Sequence, residues 1–201
     1  PDGIQQHAAR FRRQPQELAG EFNLSRNTHQ AKTLLCVAFL IISEEPVNRL
    51  STPALKITAT TWRDLTPVHR LEKTCFPKDA WPIWEVLGVL VFPNVIRLKA
   101  VLAEELVGFI AGDYRSKSKI GWIITIAVHP DYHGRGIGSN LLQSCEERFA
   151  TSVVRLSVRA SNQSAISLYQ RNDYQQVEVW PKYYRDGENG LVFEKVLNKA
   201  V

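Results

Sequence analysis

The sequence predicts an α+β domain built on a mixed, mostly antiparallel sheet with flanking helices. Three observations carry that expectation. Val95–Leu102 and residues 106–114 are strand-like runs separated by a charged turn at Glu104 and Glu105, the pattern of an antiparallel hairpin. Residues 121–128 (GWIITIAV) are apolar on both faces, as a central strand is, and lead through a glycine-rich loop and a helix to another strand at 153–158. A strand, helix, strand succession requires a crossover joining two parallel strands.

The elements follow in chain order. Residues 1–32 are rich in Gln, Arg and Asn with weak periodicity, and a helix is expected there only at 15–22. The nine-residue apolar run 34–42 reads as an added strand or a buried helix, about half the length needed to cross a bilayer, so no membrane association is expected. Ser51, Thr52 and Pro53 read as a linker, dividing the chain into an extension, 1–55, and a domain, 56–201. A short strand at 56–61 precedes a helix for which Asp64 is the expected N-cap, with Pro67, Val68, Leu71 and Cys75 at helical spacing. A second helix is expected at 81–90. After the hairpin and the central strand, a helix from near Ser139 points Ile137, Leu141, Leu142, Cys145 and Phe149 inward and Glu146, Glu147 and Arg148 outward. Ser161 or Asn162 caps a further helix carrying Ala165, Ile166, Leu168 and Tyr169, and strands at Gln175–Trp180 and 191–196 finish the sheet.

The composition, 44% apolar and 22% charged over 201 residues, is that of a globular protein able to bury a core. Formal charge is +5, but the basic residues are dispersed and not interleaved with aromatics, so nucleic acid is not an expected partner. Cys36, Cys75 and Cys145 are far apart and show no CxxC spacing, which points to neither a disulfide framework nor a metal site and fits a reducing, cytoplasmic setting. The chain has no Met and begins at Pro1, so a processed N terminus is expected.

The chemistry-bearing segment is HGRGIG, His133 to Gly138, between the central strand and its helix. Glycines at alternate positions let backbone approach an anion without hindrance from Cβ, and the start of a helix supplies amides and a dipole for a pyrophosphate. The spacing is not the dinucleotide fingerprint, since Leu141 stands where a third glycine is required, and no Lys-Ser or Lys-Thr follows as in an NTPase phosphate loop.

The stretch TIAVHPDYHGRGIGSNLL, Thr125 to Leu142, resembles the acetyl-CoA motif of GCN5-related N-acetyltransferases (GNATs), (Gln/Arg)-x-x-Gly-x-(Gly/Ala) after a strand, with His133 at the Gln/Arg position. The resemblance covers residues 56–201 and implies the GNAT fold, with a splayed parallel strand pair. It further implies acetyl-CoA as cosubstrate, without a metal. The amides of Gly134, Arg135, Gly136, Ile137, Gly138 and Ser139 would hold the pyrophosphate. Ile126, Ala127 and Val128 would lie along the pantetheine arm, with the Val128 amide facing the thioester oxygen as an oxyanion donor.

A second block, RLSVRASNQSAISLYQRNDY, Arg155 to Tyr174, is similar to the VRxSNxxAxxLY block of the N-terminal acetyltransferase branch, which includes the ribosomal-protein alanine acetyltransferases. The similarity implies that Asn162 touches the cofactor. Tyr169, two helical turns later on the same face, would be the general acid for the departing thiolate. Asp173 replaces that branch's usual Gly before an aromatic, a change suited to a left-handed residue ending a helix.

No general base is legible: Ser157 and Trp122 stand where relatives carry Glu or His and Tyr. An α-amine with pKa of about 8 is roughly one-tenth neutral at pH 7, whereas a lysine near 10.4 is less than about one-thousandth neutral, so a weak base suffices for a protein N terminus. Phe76 and Pro77, in the CFP tripeptide, resemble the loop with which the branch contacts a peptide. Tyr183 and Tyr184 resemble the paired tyrosines of its closing hairpin. The expected function is acetyl transfer from acetyl-CoA to an amine by direct attack in a ternary complex. The acceptor would be a protein α-amine, that of a ribosomal protein among them. A small-molecule or lysine amine, or a non-catalytic acetyl-CoA-binding module, is the alternative.

Overall fold

A computed structural model describes residues 54–115 and 119–198. The expectations for the helix at 15–22, the run 34–42 and the linker at 51–53 lie outside the described residues. Seven strands form one sheet: β1 (Lys56–Ala59), β2 (Val95–Leu102), β3 (Glu105–Arg115), β4 (Ile120–Val128), β5 (Val153–Arg159), β6 (Gln175–Trp180) and β7 (Gly190–Val196). Their order across the sheet is β1-β2-β3-β4-β5-β7-β6, and only β4 and β5 run parallel. The helices are α1 (Leu65–Cys75), α2 (Ile83–Val91), α3 (Ile137–Glu146) and α4 (Gln163–Arg171). This is the mixed, mostly antiparallel sheet with one parallel pair that the resemblance implied.

The β2–β3 turn is one residue earlier than expected. Ala103 and Glu104 both have positive φ, 49° and 64°, and Glu105 already belongs to β3. Two left-handed residues make the type I′ geometry that matches strand twist in a two-residue hairpin.

Two cores cover the two faces of the sheet. On one, Leu141, Leu142 and Cys145 of α3 pack with Leu98, Ile110, Ile123, Leu156 and Phe193, and Ile166 and Tyr169 of α4 extend the cluster. On the other, Val68 and Leu71 of α1, Val86, Val89 and Leu90 of α2, and Phe109 and Ala111 of β3 are buried. At roughly 1.5–3 kcal/mol per buried aliphatic side chain, these layers supply the drive that fixes the sheet between its helices.

Two side chains depart from the expected pattern. Asp64 stands at the N-cap position of α1 as expected, but its carboxylate makes no capping bond to the helix; it closes the preceding 3₁₀ turn (Trp62–Asp64), accepting from the Thr61 backbone N–H (2.9 Å) and hydroxyl (3.2 Å) while Lys99 Nζ sits at 2.5 Å. Its carboxylate is already committed to Thr61 and Lys99 and is not turned to the first amides of the helix. Glu146 does not face outward: only 6% exposed, it accepts from the Tyr174 hydroxyl (2.9 Å) and Lys195 Nζ (2.8 Å). It lies four residues after Leu142, on the same inward stripe, and a cation with a phenol makes its burial tolerable.

Candidate active site

β4 and β5 hydrogen-bond only from Ile120↔Val153 to Ile123↔Leu156. Beyond that point they separate. The cause is a bulge in β4: Ala111 of β3 faces Thr125 while Gly112 faces Ile123, leaving Ile124 as the extra residue that bends the strand. The half of β4 expected to be buried on both faces is therefore open on one side, with Ile124, Thr125, Ile126 and Val128 only partly covered.

Register fixes where the open backbone groups point. The His129 amide donates to Val107 O of the neighbouring strand at 2.9 Å, so by alternation Ala127 also faces β3. The N–H groups of Ile126 and Val128 are turned the other way, into the splay.

A cleft of about 760 Å³ occupies this opening. It brings together Phe76, Ile126, Ala127, Val128, His133, Gly134, Gly136, Ile137, Gly138, Ser139, Asn162, Tyr169 and Tyr184 of the expected site. Arg135, Pro77 and Tyr183 are not on its wall. Arg135 lies over the Tyr132 ring at 5.1 Å, Pro77 is exposed, and Tyr183 is held between Trp180 (4.9 Å) and Tyr184 (5.2 Å) as a support for Tyr184.

The glycine loop is shaped for an anion. Gly134 and Gly136 both have φ of 75°, with open space where a Cβ would stand, and Gly136 is the N-cap of α3, whose first turn lies two residues before the expected start. Gly138 serves packing instead, because a Cβ there would meet Leu168 of α4 at 3.0 Å and its bareness lets the two helices close beside the loop. The His133 ring is turned back onto the strand, with Nε2 2.8 Å from Val128 O, and leaves the loop amides to form the cradle.

Asn162 caps α4, its Oδ1 accepting from the Ala165 amide at 3.1 Å, and so stands at the cleft edge in a fixed orientation. Tyr169, 5% exposed, packs by ring contacts at about 6 Å on Tyr174 and Phe193 (6.0 and 6.1 Å). Burial pushes its phenol well above the usual value, so it stays protonated at neutral pH. Asp173 has φ of 66° at the end of α4, the left-handed geometry expected for it.

Two residues that sequence reasoning missed join the wall. Glu72 of α1, 2% exposed, accepts from the Thr125 hydroxyl at 2.9 Å, and burial raises its carboxyl to about 7. One turn on, Cys75 Sγ lies 3.3 Å from Val128 O, and its thiol is pushed up to about 11, chiefly by burial and then by Glu72. Helical spacing carried the signal for Glu72, since it follows the inward residue Val68 by four positions. Arg159, at the end of β5, makes a bidentate pair with Asp79 (2.7 and 2.9 Å), reaches Asp186 (2.9 Å) and Glu188 (2.6 Å), and covers the Tyr184 ring at 4.0 Å. It fastens the loop after α1 to the segment between β6 and β7, and nothing local in the sequence announces it. Among the described residues, no group of His, Cys, Asp or Glu is arranged to hold a metal, and no helix is long and apolar enough to cross a membrane.

The arrangement can hold an anion at a helix start, line an extended arm along a free strand edge, and face a polarised carbonyl with an amide. An uncharacterized N-acetyltransferase of Methanocaldococcus jannaschii is 33% identical over 138 residues, covering 66% of this chain and 86% of that protein. The N-alpha-acetyltransferase RimI of Mycobacterium tuberculosis is 32% identical over 142 residues, covering 67% and 87%. The crystal structure of the ribosomal-protein-S18-alanine N-acetyltransferase from Escherichia coli superposes with a TM-score of 0.65 at 22% identity, over 74% of this chain and 97% of that one. Residues 62–174 match the profile of the Acetyltransferase (GNAT) family, and the chain belongs to that family.

Proposed function

We propose that this GNAT acetyltransferase transfers acetyl from acetyl-CoA to the N-terminal α-amine of a protein, a ribosomal protein being within the acceptor class, by direct attack while both substrates are bound. The observation that carries the reading is the splay of β4 from β5, which leaves strand amides open in a cleft walled by the glycine loop at one part and by Phe76 and Tyr184 at another.

In this reading the loop amides from Gly134 to Ser139 and the α3 dipole bind the pyrophosphate. The N–H groups of Ile126 and Val128 hold the pantetheine arm as an added strand would be held, and the Val128 amide donates to the thioester oxygen as charge builds on it. His133 and Cys75 both approach Val128 O, which steadies the peptide plane that follows Val128. Asn162 borders the arm, and Tyr169 delivers a proton toward the sulfur. Phe76, with Pro77 behind it, and Tyr184, backed by Tyr183, wall the acceptor side. The names of the M. tuberculosis and E. coli relatives support an α-amine over other acceptors.

The test is peptide-dependent release of CoA thiol. Tyr169→Phe should lower kcat about 100-fold, the usual scale of a proton donor, while acetyl-CoA affinity stays within about twofold. An unchanged kcat would remove Tyr169 as the acid, and tight acetyl-CoA binding without turnover on any amine would overturn the enzyme reading.

A further inference from the structure

The chemistry as described lacks a base for the incoming amine, which is charged in most of its population at neutral pH. Among the described residues only two acids are buried, Glu72 and Glu146. Glu146 is held by Tyr174 and Lys195 away from the cleft wall. Glu72 lies on that wall, no cation stands within ion-pairing distance among the described residues, and one neutral donor, Thr125, orients it.

Its place in the fold is specific. α1 presents Glu72 and Cys75 to the same side at i and i+3, about 4.5 Å apart along the helix axis. Cys75 touches the carbonyl of Val128, whose amide is the proposed oxyanion donor. Phe76, the first residue past the helix, begins the acceptor-side loop and donates its amide to the Glu72 carbonyl at 2.8 Å. The carboxyl thus lies on the cleft wall, hydrogen-bonded to Thr125 next to the β4 bulge, on the helix that leads into the Phe76 loop, a placement suited to take a proton from an amine in the cleft directly or through one water.

We propose that Glu72 is the general base of the transfer, accepting the proton of the acceptor ammonium. The inference rests on the acetyltransferase reading above but holds for any amine acceptor. In the step, the ammonium proton passes to the Glu72 carboxylate, and the freed lone pair forms a C–N bond to the acetyl carbonyl carbon. The C–S bond breaks, Tyr169 gives its proton to the sulfur and recovers one from the nitrogen, and Glu72 returns its proton to solvent. Products are the N-acetyl amine, CoA thiol and one proton.

The surroundings suit the role. Burial places the carboxyl near 7, with the Thr125 hydrogen bond opposing that rise. Of the packed elements, α1 contributes Cys75, whose thiol is neutral at physiological pH, and β4 contributes Thr125. The 3₁₀ turn contributes Asp64, already held by Lys99, while the buried residues of α2 and the α1 face of β3 are apolar.

The experiment measures kcat against pH for the full chain with acetyl-CoA and an N-terminal peptide, alongside Glu72→Gln and Thr125→Val. Glu72→Gln should lower kcat about 100-fold with CoA affinity, by calorimetry, within about twofold, and the acidic limb near pH 7 should vanish. Thr125→Val should move that limb to higher pH. A peptide analogue with a less basic amine should recover part of the loss in Glu72→Gln. If Glu72→Gln turns over within about threefold of wild type with its acidic limb in place, Glu72 is not the base although the N-terminal reading stands. If the wild type acetylates only other amines, the N-terminal reading fails and the same variants on those amines decide Glu72. Loss of CoA binding in Glu72→Gln together with kcat would overturn the inference in favour of a structural role.

Discussion

A carboxyl buried beside a neutral hydroxyl is costly to ionise, and that cost appears as pH-dependent stability. In the folded chain Glu72 titrates at about 7, against 4.5 when solvated, so the folded state holds the extra proton between those values. Its contribution is intact below about 4.5 and is lost as pH rises through about 7. Glu72→Gln keeps the shape without the charge. Urea titrations should find it equal to wild type near pH 4.5 and more stable by on the order of 2 kcal/mol at pH 8, less than the full shift allows because the site relaxes. Equal stability at both pH values would mean that the carboxyl is solvated in the folded chain. At this scale the sequence was a good guide to residues that act through backbone or local geometry. The left-handed Asp173, the loop glycines and the Asn162 cap all follow from neighbours within a few positions. It was a poor guide to the side-chain partners of Asp64, Glu146 and Glu72, since Lys99, Tyr174 and Thr125 lie 35, 28 and 53 residues away.

Among the elements, strands and helices were legible because hydrophobic period alone decides them, and the boundaries moved by at most two or three residues. The β4 bulge was not legible. Residues 121–128 read as a uniformly buried strand, and only pairing with β3 leaves Ile124 unmatched and opens the far half. The join between the α1–α2 loop and the segment before β7 was equally hidden, since Arg159 and Asp79 are 80 residues apart. That join predicts a division of labour. Arg159→Ala frees the acceptor-side loops, leaves Asp79, Asp186 and Glu188 without their shared cation, and does not touch the glycine loop on α3. KM for a peptide acceptor should rise about tenfold or more, while Kd for acetyl-CoA stays within about twofold. Steady-state kinetics with calorimetry on the same preparation would separate the two, and a parallel loss of CoA affinity would show that the two sides of the cleft are not independent.

Across the whole molecule, the sheet separates the proposed donor and acceptor sides of the cleft, and the splay joins them. α3 and α4 on one face, with the glycine loop and Asn162 at their starts, carry Tyr169 and the proposed anion cradle; α1 on the other carries Glu72 and Cys75 and leads into Phe76. These groups meet where β4 leaves β5, and in the proposed function donor and acceptor would enter from different elements and react there without a covalent enzyme intermediate. The proposed donor half was readable from two sequence blocks because a cradle of loop amides and a free strand edge act largely through backbone. The proposed acceptor half depends on tertiary placement of ordinary side chains. The decisive assay offers the enzyme acetyl-CoA and peptides that carry both a free N terminus and an internal lysine, and locates the acetyl group by fragment mass spectrometry. Acetyl is expected on the α-nitrogen, with none on peptides whose N terminus is blocked. Acetylation of the lysine alone, or equal transfer to blocked peptides, would rule out the α-amine as the acceptor.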